Sequence, residues 1–362
     1  MNDIQDNFYL MASLEHAQDV AEAVRRQDFV RLERLHVSAP TRNNYSQKQD
    51  AVEMGRNAVE ALASGNVVSL KPQSVELKPL DLVFAPGTIL ALAADSGHGK
   101  SALGEQILLD LSQQGAMVLD ISVELDETHK RYRYFQHIGG ENVGPRAYYE
   151  GTINAAELVP VVAQFMHLKP PSGSDPGIPR RLFVESNPST INEVLVATRT
   201  FIEEHKIYAE ACKAAGMPYP GPPIIMVDFL QAVDVPEIQI GEVAQLMRVV
   251  SELYSLAKSR QIAMIWTSQL RKQDSKKKLF AKSIRDEIPQ IEELEGSKRL
   301  INYAHQVLTL YKPDVGFEST NHYKIYAHMP KVRIGPTRTL EGLFTGDTMN
   351  FDFDPISIKK KL

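Results

Sequence analysis

The sequence is poor in the features that mark secreted, disulfide-bonded and membrane-spanning proteins. It has one cysteine, Cys212, among 362 residues, which excludes an intrachain disulfide and a zinc site built from cysteines. No apolar run approaches the roughly 20 residues that cross a bilayer. The first residues also lack the basic and then apolar pattern of a signal peptide. These absences predict a cytoplasmic protein that has no membrane partner.

The chain also lacks an excess of positive charge. Its net charge is −5, with 43% hydrophobic and 23% charged residues, a composition typical of soluble globular proteins. Because there is no overall basic field, contact with a polyanion must come from local patches.

The most basic segment is the predicted loop 271–290. Its basic residues are Arg271, Lys272, Lys276, Lys277, Lys278, Lys282 and Arg285. Such a segment fits a solvated loop and a loop that contacts a nucleic-acid backbone about equally well. Both interpretations stay open on the sequence.

A glycine loop between a predicted strand and a predicted helix is the strongest motif. Residues 94–101 read Ala-Asp-Ser-Gly-His-Gly-Lys-Ser, the phosphate-binding pattern G-x-x-x-x-G-K-[ST] with Ala94 in place of the first glycine. Gly97 and Gly99 allow backbone N–H groups to turn inward, and the helix predicted from 100 to about 113 directs its positive end at the same point. The alternative is a chance match in a glycine-rich turn, which the flanking strand and helix disfavour.

The loop therefore predicts an ATP and Mg²⁺ site. In this motif the Lys100 ammonium reaches the β- and γ-phosphates, and the Ser101 hydroxyl ligates Mg²⁺. The residues predicted to contact the nucleotide are Ala94, Asp95, Ser96, Gly97, His98, Gly99, Lys100, Ser101 and Ala102.

An aspartate at the end of a second apolar strand completes the metal site. Residues 224–228 are four apolar residues followed by Asp228, which predicts a buried strand with a carboxylate at its tip. Beside a phosphate loop such an acid orders the Mg²⁺ shell, usually through water. The same pattern alone would be a weak indication, so the assignment depends on its pairing with the phosphate loop.

Two further polar residues end predicted strands. Glu124 ends the strand 116–124, which we expect beside the phosphate-loop strand, at the carboxyl edge where open α/β sheets bind ligands. Gln269 follows the strand 262–267, and its amide is suited to report the state of the γ-phosphate to the next loop. The alternative for Gln269 is a solvated glutamine at a strand end.

The remaining pattern predicts an α/β core with a small helical appendage. We expect residues 1–65 to form the appendage and its linker helix, and residues 66–362 to form the core. Predicted core elements include a helix at 155–166, a strand at 182–185, a helix at 191–205 and an insertion at 206–223. A long helix at 241–259 and a hairpin of 307–311 with 322–327 complete them.

The order of these motifs resembles a RecA-type ATPase core, and in finer detail the hexameric replicative helicases of the DnaB type. The stretches Asp-Phe-Leu-Gln at 228–231 and Lys-x-Arg-x-Gly-Pro at 331–336 are more specific for this resemblance than the phosphate loop. It covers residues from about 80 to 345. It implies a central, mostly parallel sheet flanked by helices.

The resemblance also implies roles. Glu124 would polarise the attacking water, while Lys331 and Arg333 would enter the ATP site of the adjacent subunit, Arg333 as the arginine finger. The loops after Asp228 and Gln269 would face a channel that holds single-stranded DNA. The implied assembly is a homo-hexamer or another ring, the implied function an ATP-dependent helicase in replication, and the implied partners a primase or loader.

Two other functions stay open on the sequence. One is a RecA- or RadA-like ATPase that does not unwind DNA and acts as a recombination mediator or a nucleotide-controlled switch. The other is a binding module with an inactive ATP site, which the presence of Lys100, Ser101, Glu124 and Asp228 disfavours. The sequence departs from the family in its short N-terminal region, the insertion at 206–223, the less acidic stretch 302–306 and the basic loop.

Overall fold

The computed structural model describes residues 69–166, 182–217, 220–236, 241–270, 288–289, 297–313 and 322–354. The predicted N-terminal appendage lies outside the described residues, as do most of the basic loop and the turn of the predicted hairpin. In the described part of the chain, no helix is both long and apolar enough to span a membrane.

A nine-stranded sheet organises the described residues. Its strand order is β3-β2-β4-β5-β1-β6-β7-β8-β9, in which β1 to β6 run parallel and β7 to β9 continue antiparallel. The strands are β1 (Ile89–Ala94), β2 (Val118–Ser122), β3 (Leu182–Ser186), β4 (Ile224–Asp228), β5 (Ala263–Gln269), β6 (Gln306–Tyr311), β7 (His322–Val332), β8 (Arg338–Thr345) and β9 (Asn350–Asp352).

Helices cover both faces of this sheet. They are α1 (Lys100–Gln113), α2 (Glu127–Gly139), α3 (Pro145–Tyr149), α4 (Ala155–Met166), α5 (Ile191–Ala214), α6 (Glu242–Arg260) and α7 (Ser297–Tyr303). Short 3₁₀ turns lie at Lys78–Leu80, Glu141–Val143 and Leu230–Ala232. The predicted mostly parallel sheet with flanking helices is confirmed.

Two hydrophobic clusters hold the layers together. The odd-numbered residues of β1 pack with α5 and α6 in one cluster, while the even-numbered residues pack with α1 in the other. Every residue of β1 is buried. This pattern explains why the strand is an unbroken apolar run, since side chains that alternate across a sheet covered on both faces must all be apolar.

The helix α5 is longer than predicted. Its start agrees with the sequence, because Thr190 and Glu193 form the expected capping box. Its end at about 205 was wrong, since the helix continues to Ala214 and absorbs the first part of the predicted insertion. Tyr208 and Cys212 extend the buried face of the helix into the core. Gly216, with φ +68°, forms the turn that ends the helix, and the Met217 N–H donates to the Cys212 carbonyl oxygen at 2.8 Å.

The strand order corrects one expectation about the site. β2, which leads to Glu124, does not lie beside β1, because β4 and β5 separate the two strands. The strand also ends at Ser122, before Glu124 is reached. Crossovers between parallel strands can skip neighbours, and the chain order alone does not specify which strands are skipped.

Candidate functional site

The glycine loop follows β1 and curls over the start of α1. Gly97 has φ +78° and Gly99 has φ +86°, values that favour glycine. A Cβ atom on Gly97 would meet nothing within 4 Å, whereas one on Gly99 would lie 2.5 Å from Cζ of Phe351 in β9. Gly99 is therefore required both by its backbone conformation and by the aromatic ring packed against it.

Lys100 begins α1 with its side chain largely buried at the base of the loop. Its Nζ atom is 3.5 Å from the carbonyl oxygen of Asp95. Burial lowers the pKa of Lys100, and the nearby carboxylates of Asp228, Glu124 and Asp95 oppose that shift. A lysine at the N-terminus of a helix that directly follows a glycine loop is an arrangement that binds phosphate.

Asp228 ends β4 with both carboxylate oxygens in contact with buried groups. Oδ1 accepts a hydrogen bond of 2.6 Å from the Thr267 hydroxyl on β5, and Oδ2 lies 3.5 Å from Nζ of Lys130 on α2. The side chain is nearly inaccessible. Its orientation is thus fixed from two sides by neighbouring elements.

Glu124 lies on the turn between β2 and α2 and is exposed. The backbone N–H of Val123 donates to the carbonyl oxygen of Asp228 at 2.9 Å. The Ser122 hydroxyl closes the turn by accepting from the Leu125 N–H at 3.1 Å. These bonds attach the glutamate to the tip of the strand that carries Asp228.

Gln269 ends β5 directly beside the glycine loop. It pairs with Ala94 in the sheet, and the next residue, Leu270, donates to the carbonyl oxygen of Ala94 at 3.3 Å. Ser268 accepts a hydrogen bond of 2.8 Å from the Gln231 side chain. The structure therefore brings the glycine loop, Glu124, Asp228 and Gln269 to one edge of the sheet, which we call the carboxyl edge.

Lys331 and Arg333 lie at the opposite edge. The Arg333 N–H donates to the His305 carbonyl oxygen, and the His305 N–H donates to that of Ile89, the first residue of β1. The glycine loop follows the last residue of the same six-residue strand, roughly 17 Å away at the usual rise of a strand. We call this the amino edge.

At the amino edge the two cations contact the end of α7. Arg333 donates to the carbonyl oxygen of Asn302 at 2.7 Å, and Lys331 donates to that of Ile301. The negative end of a helix dipole favours such cations. Lys258 joins them, with Nζ 3.1 Å from Nε2 of His305.

Several site residues were not found from the sequence. Lys130, Glu105 and Asp120 form a buried ionic cluster behind Asp228, although in the sequence the segment of α2 is only rich in charged and aromatic residues. Thr267 was likewise read as part of an apolar strand. Periodicity reports which residues repeat along an element and not which charges meet across elements, so no signal in the chain pointed to these contacts.

The donor groups suit a metal bound together with phosphate. Within the described residues, no group of three or more His, Cys, Asp or Glu side chains could hold a metal ion. Mg²⁺ is commonly held by one or two protein ligands, water and substrate phosphates. Ser101, the first residue after Lys100 on α1, and Asp228 offer that minimal set.

The family follows from a comparison with known proteins. A family model described as the DnaB-like helicase C-terminal domain matches residues 76–353. The chain belongs to this family. The matched region contains both edges described above. A search of curated proteins finds no match.

Solved structures agree on the fold. A DnaB-like replicative helicase, described with its interactions with primase, is similar with a TM-score of 0.61 and 17% identity over 97% of this chain and 76% of that chain. The ATPase domain of G40P is similar with a TM-score of 0.61 and 17% identity over 84% of this chain and 99% of that chain. At this level of identity the likeness establishes the shared RecA-like architecture.

Proposed function

We propose that this protein is an ATP-dependent helicase or translocase that acts on single-stranded DNA and hydrolyses Mg-ATP between neighbouring subunits of a ring. The observation that carries the proposal is the separation of Arg333 and Lys331 from the glycine loop by the length of β1. Side chains at the amino edge do not reach a nucleotide at the carboxyl edge of the same chain. A second copy has to supply them.

The carboxyl edge fits Mg-ATP. Backbone N–H groups of residues 95–101 and the Lys100 ammonium would hold the phosphates, with Ser101 and Asp228 on the metal side. When bound, Mg²⁺ neutralises charge on the β- and γ-phosphates. The carboxylate of Asp228 is already oriented by Thr267 and Lys130, so little reorganisation is needed on binding.

Hydrolysis needs a base for water and positive charge on the transferring phosphoryl group. Glu124 is the base in this proposal, since it is exposed and attached through Val123 to the tip of β4. Gln269, beside Ala94 in the sheet, is suited to respond to the γ-phosphate. Arg333 of the neighbouring subunit supplies the charge, assisted by Lys331.

A contact that joins one edge to the opposite edge of the next copy is heterologous. Such contacts close into rings when the rotation between copies permits, and we propose a homo-hexamer. The loops after β4 and β5 leave neighbouring parallel strands at the same edge, so both can reach one DNA strand. Binding a primase or a loader and a cytoplasmic location belong to the same proposal.

Unwinding of a forked duplex, measured beside ATP hydrolysis with and without single-stranded DNA, tests this function. We expect stimulated hydrolysis and strand separation, both lost in Lys100→Ala. Stimulated hydrolysis without strand separation would instead favour a RecA-like ATPase that does not unwind DNA and acts as a recombination mediator or a nucleotide-controlled switch. A wild-type chain that does not hydrolyse ATP under any of these conditions would overturn both functions.

A further inference from the structure

Lys130 is a fully buried cation that contacts three carboxylates on three different elements. Its Nζ atom lies 2.7 Å from Oε1 of Glu105 on α1, 3.0 Å from Oδ2 of Asp120 on β2 and 3.5 Å from Oδ2 of Asp228 on β4. Its side chain has no exposed surface. One ammonium group therefore joins the phosphate-loop helix, the strand before Glu124 and the strand that carries Asp228.

The same face of α2 carries three more groups of this network. Arg133 contacts both carboxylate oxygens of Glu105 at 3.0 and 2.9 Å, and Nε2 of His137 lies 3.1 Å from the same carboxylate. The Tyr134 hydroxyl donates to Oδ2 of Asp120 at 2.7 Å. The spacing from Lys130 by three, four and seven residues puts all of them on one helical face.

A purely apolar contact would hold α2 on the sheet at a lower cost. Burying charges is expensive even when they are paired, and replacing a buried ion pair by apolar residues is often neutral or stabilising. The cluster is also imperfect, since Oδ1 of Asp120 has no hydrogen-bond partner among the described residues. What the ionic cluster adds over apolar packing is a directed contact with Asp228.

Lys130 contacts the carboxylate oxygen of Asp228 that Thr267 does not bind. Thr267 fixes Oδ1 and Lys130 faces Oδ2, so the two groups together define the plane of the carboxylate. Lys130 also anchors the first turn of α2, directly after the Asp126 cap that follows Glu124. A shift of Lys130 would thus move the metal-side acid and the base relative to the glycine loop.

We propose that Lys130 is a positioning residue of the Mg-nucleotide site, which holds the carboxylate of Asp228 at a fixed orientation relative to α1. This inference rests on the proposed function, because it requires that Asp228 act on Mg²⁺. Partners that orient metal-site groups from behind typically change metal affinity about 10- to 100-fold when they are removed. Loss of Lys130 therefore weakens the Mg²⁺-dependent part of nucleotide binding and leaves the part made by the glycine loop.

The test measures binding rather than turnover. The full chain is titrated with a fluorescent, non-hydrolysable ATP analogue in Mg²⁺ and in EDTA, and the ratio of the two Kd values gives the contribution of Mg²⁺. The variants are Lys130→Met and the double variant Lys130→Met/Asp120→Asn, which removes one buried cation and one buried anion together. Arg131→Met, an exposed cation on the same helix that pairs with Glu127, is the matched control.

We expect the Kd in EDTA to stay within about twofold of wild type and the Mg²⁺ contribution to fall at least about tenfold in both Lys130 variants. The double variant should recover thermal stability over Lys130→Met, because fewer buried carboxylates are left unpaired, without recovering the Mg²⁺ contribution. If Lys130→Met does not fold, the double variant carries the test.

Two results separate the possible failures. A double variant that binds with the full wild-type Mg²⁺ contribution makes Lys130 a structural residue only and overturns the inference. A wild-type protein whose affinity is the same in Mg²⁺ and EDTA overturns the proposed Mg-ATP site itself. Arg131→Met should match wild type in either buffer.

Discussion

The two edges of the sheet differ in how far each is built for chemistry within one chain. At the carboxyl edge Lys100 lies near the carboxylates of Asp228 and Glu124, and buried contacts hold Asp228 and the glycine loop from behind. At the amino edge Arg333 and Lys331 contact carbonyl oxygens of their own chain at the end of α7. We call the carboxyl-edge arrangement of the glycine loop, Lys100 and Asp228 the cradle. Its groups are held in place, whereas the two cations of the amino edge are bound to carbonyl oxygens of their own chain.

This difference indicates which of the two edges would rearrange when copies of the chain assemble around a nucleotide. The cradle needs little rearrangement, because its polar atoms are held by neighbouring strands. In the proposed reaction the cations exchange helix carbonyls for phosphate oxygens, which carry more charge and bind a guanidinium more strongly. Assembly would therefore move the amino edge more than the carboxyl edge.

The largest expected effect on ATP hydrolysis comes from the removal of Arg333 at the amino edge. Arg333→Ala should reduce ATP hydrolysis by about 10³- to 10⁵-fold, the range known for arginine fingers. Nucleotide binding by the same protomer should change little, because Arg333 contacts Asn302 far from the glycine loop. Steady-state turnover and analogue binding measure the two effects separately.

Arg146→Ala is the control, since Arg146 is an exposed arginine paired with Glu150. It should leave turnover unchanged. A fully active Arg333→Ala protein would mean that the amino edge takes no part in the reaction.

The next largest effect on ATP hydrolysis is expected from Glu124 at the carboxyl edge. Glu124→Gln should lower hydrolysis by about 10²- to 10⁴-fold, the usual contribution of a general base, and preserve ATP binding. Glu127→Gln provides a control a few residues away, because Glu127 is also exposed and pairs with Arg131. Unchanged turnover in Glu124→Gln would reject the base assignment.

A smaller effect compares two glycines of the same loop. Gly99→Ala should cost about 1–2 kcal/mol for its positive φ and roughly a further 1–3 kcal/mol for the clash with buried Phe351. Gly97→Ala meets open space and should cost only the backbone strain, about 1–2 kcal/mol. Denaturant unfolding of both variants measures the difference, and equal losses would argue against tight packing of β9 on the loop.

The smallest effect concerns acid stability at the amino edge. Burial, together with Lys258, Arg333 and Lys331, lowers the pKa of His305 from 6.5 to about 4. The native state therefore disfavours the protonated imidazole, and stability falls as the pH drops from 6.5 towards 4. Because the side chain is only half-buried, solvent screening keeps this loss well below the limit of about 1.4 kcal/mol per pH unit.

His305→Gln should make this acid loss shallower, because glutamine takes up no proton. Urea unfolding of both proteins at pH 7 and at pH 4.5 provides the comparison. An identical pH dependence in the two proteins would show that protonation of His305 does not cause the loss of stability in acid.

The sequence predicted the parts of the site that local pattern encodes. The strand, glycine loop and helix around Lys100 follow from apolar runs and a fixed motif, and the strand ending at Asp228 follows from its burial on both faces. The capping box at Thr190 could also be predicted, since it depends on two residues that are three positions apart in the chain. In each case the deciding residues are close in the chain.

What the sequence did not predict depends on contacts between distant segments. The separation of β2 from β1 is a property of the crossovers. The contacts of Lys130 join residues 25 and 98 positions apart. The strands β8 and β9 were missed as well, although β9 brings Phe351 against Gly99. The roles of Lys331 and Arg333 came from resemblance to a family and not from spacing.

A mixing experiment tests most directly whether one nucleotide is shared between two copies of the chain. Lys100→Ala lacks a working cradle and Arg333→Ala lacks the finger, so each should be inactive alone. In an equal mixture about a quarter of the interfaces would join an intact cradle to an intact finger if copies assemble at random. We expect the mixture to hydrolyse ATP at a comparable fraction of the wild-type rate. Co-assembly without any recovered hydrolysis would contradict the sharing of one nucleotide between two copies.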